Sequence, residues 1–214
     1  PHNPTGSVLK EDDLKRLERL TKGTDIIVLS DEVYEHLIFD GQQHQSACRF
    51  PDLASRSIVV GSFGKTFHAT GWKIGFVLMP ENLMKEFRKV HQFVVFAVNT
   101  PIQYAMADYL AVPENYLSLG KFYQKKRDYF VKAVGKSKFK IIPSFGTYFQ
   151  LLNYSAISDE NEMDFATRLI KENGIAGIPV SPFYKNKDNN KVLRFCFAKQ
   201  EETLKKAAEI LCGI

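Results

Sequence analysis

Three side chains in this sequence stand where ionic or covalent chemistry could be done. Asp31 follows the apolar run Ile26-Ile27-Val28-Leu29. Lys65 follows a second apolar run that starts at Ser57 and leads into Ser62-Phe63-Gly64. If both runs are strands of an open α/β sheet, the carboxylate and the amine leave it at one edge, where such sheets bind ligands. Gly64 lets the chain turn tightly just before the lysine. Taken singly, Asp31 serves equally well as a helix N-cap or a turn acid. Lys65 taken singly is a solvated loop lysine, a phosphate ligand, the partner of an acid, or a nucleophile.

Arg194 is the third. Val192 to Ala198 alternates as a strand, with Leu193, Phe195 and Phe197 on one face. Arg194 shares the other face with Val192, Cys196 and Ala198. An arginine on a nearly apolar face calls for an anion, and its planar fork matches a carboxylate through two parallel hydrogen bonds. That anion is an internal acid or a bound one. Two further residues are less telling alone. Asn3 lies in a turn-forming Pro1-His2-Asn3-Pro4-Thr5-Gly6 segment, and Tyr34, three residues after Asp31, reads as a core tyrosine.

The elements that must position these groups fall into two patterns. In the first half, short apolar runs alternate with amphipathic stretches. A helix is expected over Lys10–Lys22, where Leu14, Leu17 and Thr21 share a face and Gly23 fits the position after the helix. Ile26–Leu29, Ser57–Phe63 and Ile74–Met79 read as strands, the first continuous enough to be buried on both faces. Helices follow at Glu81–Phe93 and Pro101–Leu110. This is α/β architecture with a largely parallel sheet. The second half reads as smaller and α+β: one long polar helix over Glu114–Val134, paired strands at Phe139–Ile142 and Tyr148–Leu152, and a helix over Glu162–Asn173 ended by Gly174. Strands at Ala176–Val180 and Val192–Phe197 and a terminal helix from Glu201 complete it. The domain boundary is placed near Pro113.

Composition narrows the classes. Hydrophobic residues make up 44% and charged residues 25% of 214 residues, an ordinary globular balance. The longest strongly apolar run, Phe93–Val98, is too short to span a bilayer, so no membrane partner is expected. The net charge of +5 is concentrated in Lys121–Lys140, where eight Lys/Arg face the single acid Asp128. No nucleic-acid motif accompanies this stretch, which reads as a solvated helix face. Cys48, Cys196 and Cys212 form no CxxC pair, which suits a reducing, cytoplasmic compartment. No metal is expected, since the five histidines show no ligand spacing.

Together these residues resemble the fold-type I pyridoxal phosphate (PLP) enzymes, specifically the class I/II aminotransferases. Asn3-Pro4-Thr5-Gly6 is similar to that family's NPTG segment and Asp31-Glu32-Val33-Tyr34 to its DEVY segment. Ser62-Phe63-Gly64-Lys65 followed by Gly71-Trp72-Lys73-Ile74-Gly75 resembles its cofactor-lysine region. Arg194 falls where the family has a substrate arginine. Each segment is weak alone, but the four stand in the family's order across nearly the whole chain. Lys65-Thr66-Phe67-His68, Val90-His91-Gln92-Phe93 with Asn99-Thr100-Pro101, and Gly146-Thr147-Tyr148-Phe149 further resemble the methionine and kynurenine/glutamine aminotransferase subgroup.

The resemblance implies an aspartate aminotransferase-like fold, of which residues 1–112 are the C-terminal part of the large PLP-binding domain and 113–214 the small domain. The implied reaction transfers an amino group from an amino acid (methionine, aromatic or glutamine-like) to a 2-oxo acid. Lys65 would carry PLP as a Schiff base and shuttle the proton. Asp31 would pair with the pyridine nitrogen, Asn3 and Tyr34 with the phenolic oxygen, and Ser62 and Lys73 with the phosphate. Arg194 would hold the substrate carboxylate. The family commonly has arginine at Lys73, so the charge is kept but the fork is not. Tyr148 and Phe183 are candidate pocket aromatics. A homodimer is implied. So is further sequence before Asn3, without which the chain is expected to be an incompetent fragment. Two other readings share these residues: a PLP-dependent carbon–sulfur β-lyase and a PLP-binding sensor domain of a transcription regulator.

Overall fold

The computed structural model describes all residues 1–214, and they form two compact units. One comprises Pro1 and Val8–Gly120, the other His2–Ser7 and Lys121–Ile214.

The first unit opens with helix α1 (Glu11–Thr21), where Glu11, Asp12 and Asp13 complement the positive end of the helix. Gly23, at φ +72°, takes the left-handed position after it, as its glycine identity predicts. Strand β1 (Val28–Asp31) follows. After a long excursion and the one-turn helix α2 (Pro51–Ala54) comes β2 (Ser57–Ser62). Next are the one-turn helix α3 (Phe63–Thr66) and β3 (Gly75–Leu78). Helices α4 (Glu81–Val94), α5 (Thr100–Leu110) and the short α6 (Glu114–Leu117) close the unit. Leu14, Ala47, Phe50, Leu53 and Val59 form its core, with Leu17 and Val28 packed against them. Burying a leucine such as Leu53 is worth about 1.5–3 kcal/mol.

Three expectations are corrected here. The sheet is mixed: β1 and β2 are parallel, but β3 runs antiparallel to β2. Lys73 adopts the left-handed conformation (φ 54°, ψ 47°) and turns the chain back, so that Gly75 lies opposite Ser62. The Ile26–Leu29 run is not buried on both faces. Leu29 is 70% exposed and Ile26 and Ile27 are more than half exposed, because β1 is an edge strand covered only on the face that carries Val28. The expected long helix after Glu114 is interrupted at Ser118.

The second unit holds α7 (Leu119–Val134) from Lys121 onward, β4 (Lys140–Ile142), β5 (Phe149–Asn153), α8 (Glu162–Asn173), β6 (Ile178–Pro179), β7 (Val192–Cys196) and α9 (Glu201–Cys212). Its strands form an antiparallel sheet in the order β4-β5-β7-β6. Tyr154 stacks on Phe165 at 4.0 Å, and Phe139 packs against Phe165 and Phe195. Asn161 caps α8 by accepting from the Met163 and Asp164 amides, and Gly174 ends it at φ +67°. The division between units falls after Gly120, later than the boundary placed near Pro113. The reason is that Tyr116 packs its ring 5.0 Å from His36, and Gly120 lies close against the Ile38 carbonyl. No helix is long and apolar enough to cross a membrane.

Candidate active site

In the first unit, Asp31 ends β1 and Ser62 ends β2. Asp31 lies opposite Val60 in the parallel ladder, so both strands finish at the same sheet edge. The Asp31 side chain is exposed, and its Oδ1 accepts from the Val33 amide at 3.3 Å. Ser62 Oγ accepts from the Lys65 backbone amide at 3.2 Å, capping α3. That uses an oxygen lone pair and leaves the hydroxyl proton available to donate. Lys65, half-buried, stands in the single turn of α3 directly after β2. Lys73 is exposed and sits two residues before Gly75, the partner of Ser62, which brings it to the same edge. Tyr34 is buried, 4% exposed.

The sheet edge therefore collects an exposed carboxylate, a half-buried amine, a hydroxyl and a second amine. This donor set fits PLP, which presents a basic ring nitrogen, an aldehyde and a phosphate.

In the second unit, Arg194 stands on β7, half-buried, as the alternation of its strand predicts. Its Nη1 donates to Asn3 Oδ1 at 2.6 Å. Its guanidinium carbon lies 4.1 Å from the Phe149 ring centroid and 5.8 Å from that of Phe183. Arg194 Nε is buried and has no hydrogen-bond partner. The hydrogen-bonded and stacked neighbours of this guanidinium are a neutral amide and two aromatic rings, none of them an anion. Asn3 reaches this position because the Phe145 amide donates to the Gly6 carbonyl at 2.9 Å. Gly6 has φ +69°, and a Cβ there would lie 2.1 Å from Ser144 Oγ, so glycine is required.

Two buried acids escaped the sequence reading. Glu32 is 5% exposed. Its carboxylate accepts from Ser30 Oγ (2.8 Å), the Ala47 amide (3.0 Å) and His44 Nε2 (2.8 Å). Burial pushes its carboxyl up, but the hydrogen bonds from His44, Ala47, Ser46 and Ser30 outweigh this and hold it below the ordinary carboxylate range. The second acid is Glu162, 1% exposed. Strand alternation was the available signal for Glu32: if Asp31 faces out, its neighbour faces in.

The family model of the class I and II aminotransferases matches residues 1–211, and the chain belongs to that family. Enzymes of this class are PLP-dependent. Among its relatives, the methionine aminotransferase of Escherichia coli is 47% identical over 212 residues, which are 99% of this chain and 55% of that protein. Kynurenine–oxoglutarate transaminase 1 of Rattus norvegicus is 35% identical, again over 99% of this chain and 55% of the relative. A solved Escherichia coli structure with a methionine aminotransferase function superposes with a TM-score of 0.97 at 46% identity, covering 100% of this chain and 57% of that one. The N-succinyldiaminopimelate aminotransferase of Mycobacterium tuberculosis gives 0.94 at 32% identity, over 100% and 56%. The chain thus spans about half the length of the relatives it matches.

Proposed function

We propose that this chain carries the cofactor lysine and the substrate arginine of a PLP-dependent aminotransferase. The reaction moves an amino group from an amino acid with a thioether, aromatic or glutamine-like side chain to a 2-oxo acid. The observation that carries the reading is the half-buried Arg194 guanidinium, set between an amide and two aromatic rings, in a chain of the aminotransferase family. The names of the methionine and kynurenine relatives support the substrate class and favour transfer over elimination or sensing. We further propose a cytoplasmic homodimer, assembled from polypeptides of the relatives' length.

When bound, PLP supplies an aldehyde that condenses with amines and a ring that draws electrons from a bound amino acid. Lys65 would hold the cofactor through its aldehyde, and its amine, once free, would take the proton from the substrate α-carbon as a general base. Asp31 would pair with the ring nitrogen and favour its protonated form. Asn3 would donate to the phenolic oxygen from Nδ2, since its Oδ1 is engaged by Arg194. The Tyr34 hydroxyl would be the second donor. Ser62 and Lys73 would hold the phosphate. Arg194 would clamp the α-carboxylate and so orient the bond to be broken.

The test compares parent and Lys65→Ala in a polypeptide of the relatives' length, loaded with PLP. Borohydride should fix the cofactor to the parent and leave the variant unlabelled. A variant labelled as fully as the parent overturns the assignment.

A further inference from the structure

Glu162 is a buried carboxylate that the reaction does not use. It opens α8, and both of its oxygens are spent on backbone amides. Oε2 accepts from Ser181 N–H at 2.5 Å, and Oε1 accepts from Val192 N–H at 3.0 Å. N–H donors on both oxygens, together with the positive end of the helix, make a buried carboxylate tolerable without a cation.

The two amides belong to segments that converge on Arg194. Val192 opens β7, two residues before Arg194, and its side chain is buried. Ser181 opens the 3-10 turn Ser181–Phe183, whose last residue lies over the Arg194 guanidinium. The ladder between β6 and β7 stops at Pro179, opposite Leu193. Beyond it the chain enters the exposed stretch 184–190 and returns only at Lys191. The Glu162 carboxylate continues the tie where the ladder ends. One side chain therefore fixes the spacing between the turn that carries Phe183 and the strand that carries Arg194.

We propose that Glu162 is a positioning residue for the carboxylate clamp. Through Ser181 and Val192 it fixes the turn of Phe183 against the strand of Arg194, and so the setting in which the guanidinium meets a ligand carboxylate. This rests on the reading of Arg194 as the substrate arginine. Glu162→Gln keeps the shape but places an NH2 where one of the two amides needs an acceptor. The turn is released and Phe183, 5.8 Å from the guanidinium carbon, loses its fixed place, while Phe149 at 4.1 Å stays on β5.

The measurement uses a polypeptide of the relatives' length loaded with PLP. Two ligands with the same ring are compared: 3-phenylpropionate, which has a carboxylate, and 2-phenylethylamine, which has none. Glu162→Gln should weaken the acid by about tenfold or more, as a displaced positioning group does, and leave the amine and the PLP affinity within about twofold. Amino-acid KM should rise by the same factor with kcat nearly unchanged. Arg194→Ala separates the two claims. If it binds the acid as tightly as the parent, the Arg194 reading fails and this proposal with it. If it loses the acid while Glu162→Gln does not, the Glu162 proposal alone is overturned. Equal loss of acid and amine in Glu162→Gln makes the residue merely structural and also overturns it. Should the glutamine variant not fold, Glu162→Asp, which keeps the charge and shortens the arm, is read against the same criteria.

Discussion

Arg194 is defined by what surrounds its guanidinium. Its fork is held by Asn3 at one nitrogen and by the Phe149 face beneath, while Nε stays unpaired. Replacing it with lysine keeps the positive charge and removes both the fork and the flat stacking surface. A charge-assisted hydrogen bond is worth about 1.5–3 kcal/mol. Arg194→Lys should therefore lower kcat/KM for an amino acid by roughly tenfold to a hundredfold, mostly through KM, as steady-state kinetics would show. An unchanged KM would remove Arg194 from the site. The place of Arg194 among small apolar residues on one face of β7 was legible from strand alternation. Its partner was not, because Asn3 lies 191 positions away in sequence and only folding makes them neighbours. Adjacent acids set a similar limit: Asp31 and Glu32 are chemically alike, and only the pleat of β1 sends one outward and the other into a nest of donors.

Elements bring their own tests. β3 lies so close to β2 that a Cβ on Gly75 would stand 2.6 Å from the Gly61 carbonyl oxygen. Backbone cannot swing aside as a side chain can, so Gly75→Ala should cost about 1–3 kcal/mol. Thermal unfolding should show this as a lowered midpoint. Gly71→Ala, where a Cβ meets nothing within 4 Å, should leave the midpoint nearly unchanged. Glu32 joins the end of β1 to the turn that begins at Ala47, and its carboxyl is held below the ordinary value of 4.5. A lowered folded-state value means that this stabilisation is complete above pH 4.5 and is lost as pH falls through the folded value. The midpoint of the parent should therefore drop on acidification more steeply than that of Glu32→Gln, the two curves converging in acid. Parallel curves would show that the carboxylate contributes nothing. Where local signals were strong, the elements were readable. α8 was expected over Glu162–Asn173 and forms there, between an asparagine cap and a left-handed glycine. Strand direction was not readable. The connection from β2 to β3 includes a left-handed turn at Lys73, a residue whose type gives no hint of a positive φ.

At the scale of the molecule, the distribution of apolar surface matters more than any one contact. Leu29 at the sheet edge is 70% exposed, and Phe93 and Phe96 at the end of α4 are 84% and 85% exposed. Scattered single hydrophobes are normal on a protein surface, but clustered large ones mark surfaces that bind something or associate. Val90, Val94 and Val95, in the same stretch of sequence as the two phenylalanines, are exposed as well. An edge strand as apolar as β1 is also open to pairing with another chain. The relatives that this chain matches are nearly twice its length. The 214-residue chain made by itself should consequently bind a hydrophobic dye such as anilinonaphthalene sulfonate and self-associate in light scattering. It should also show no transamination with PLP, methionine and a 2-oxo acid. A polypeptide of the relatives' length should be dye-silent and active under the same conditions. A short chain that stays monomeric, leaves the dye dark and turns over substrate would show that its own residues suffice for the reaction and that the exposed phenylalanines and leucine are ordinary surface.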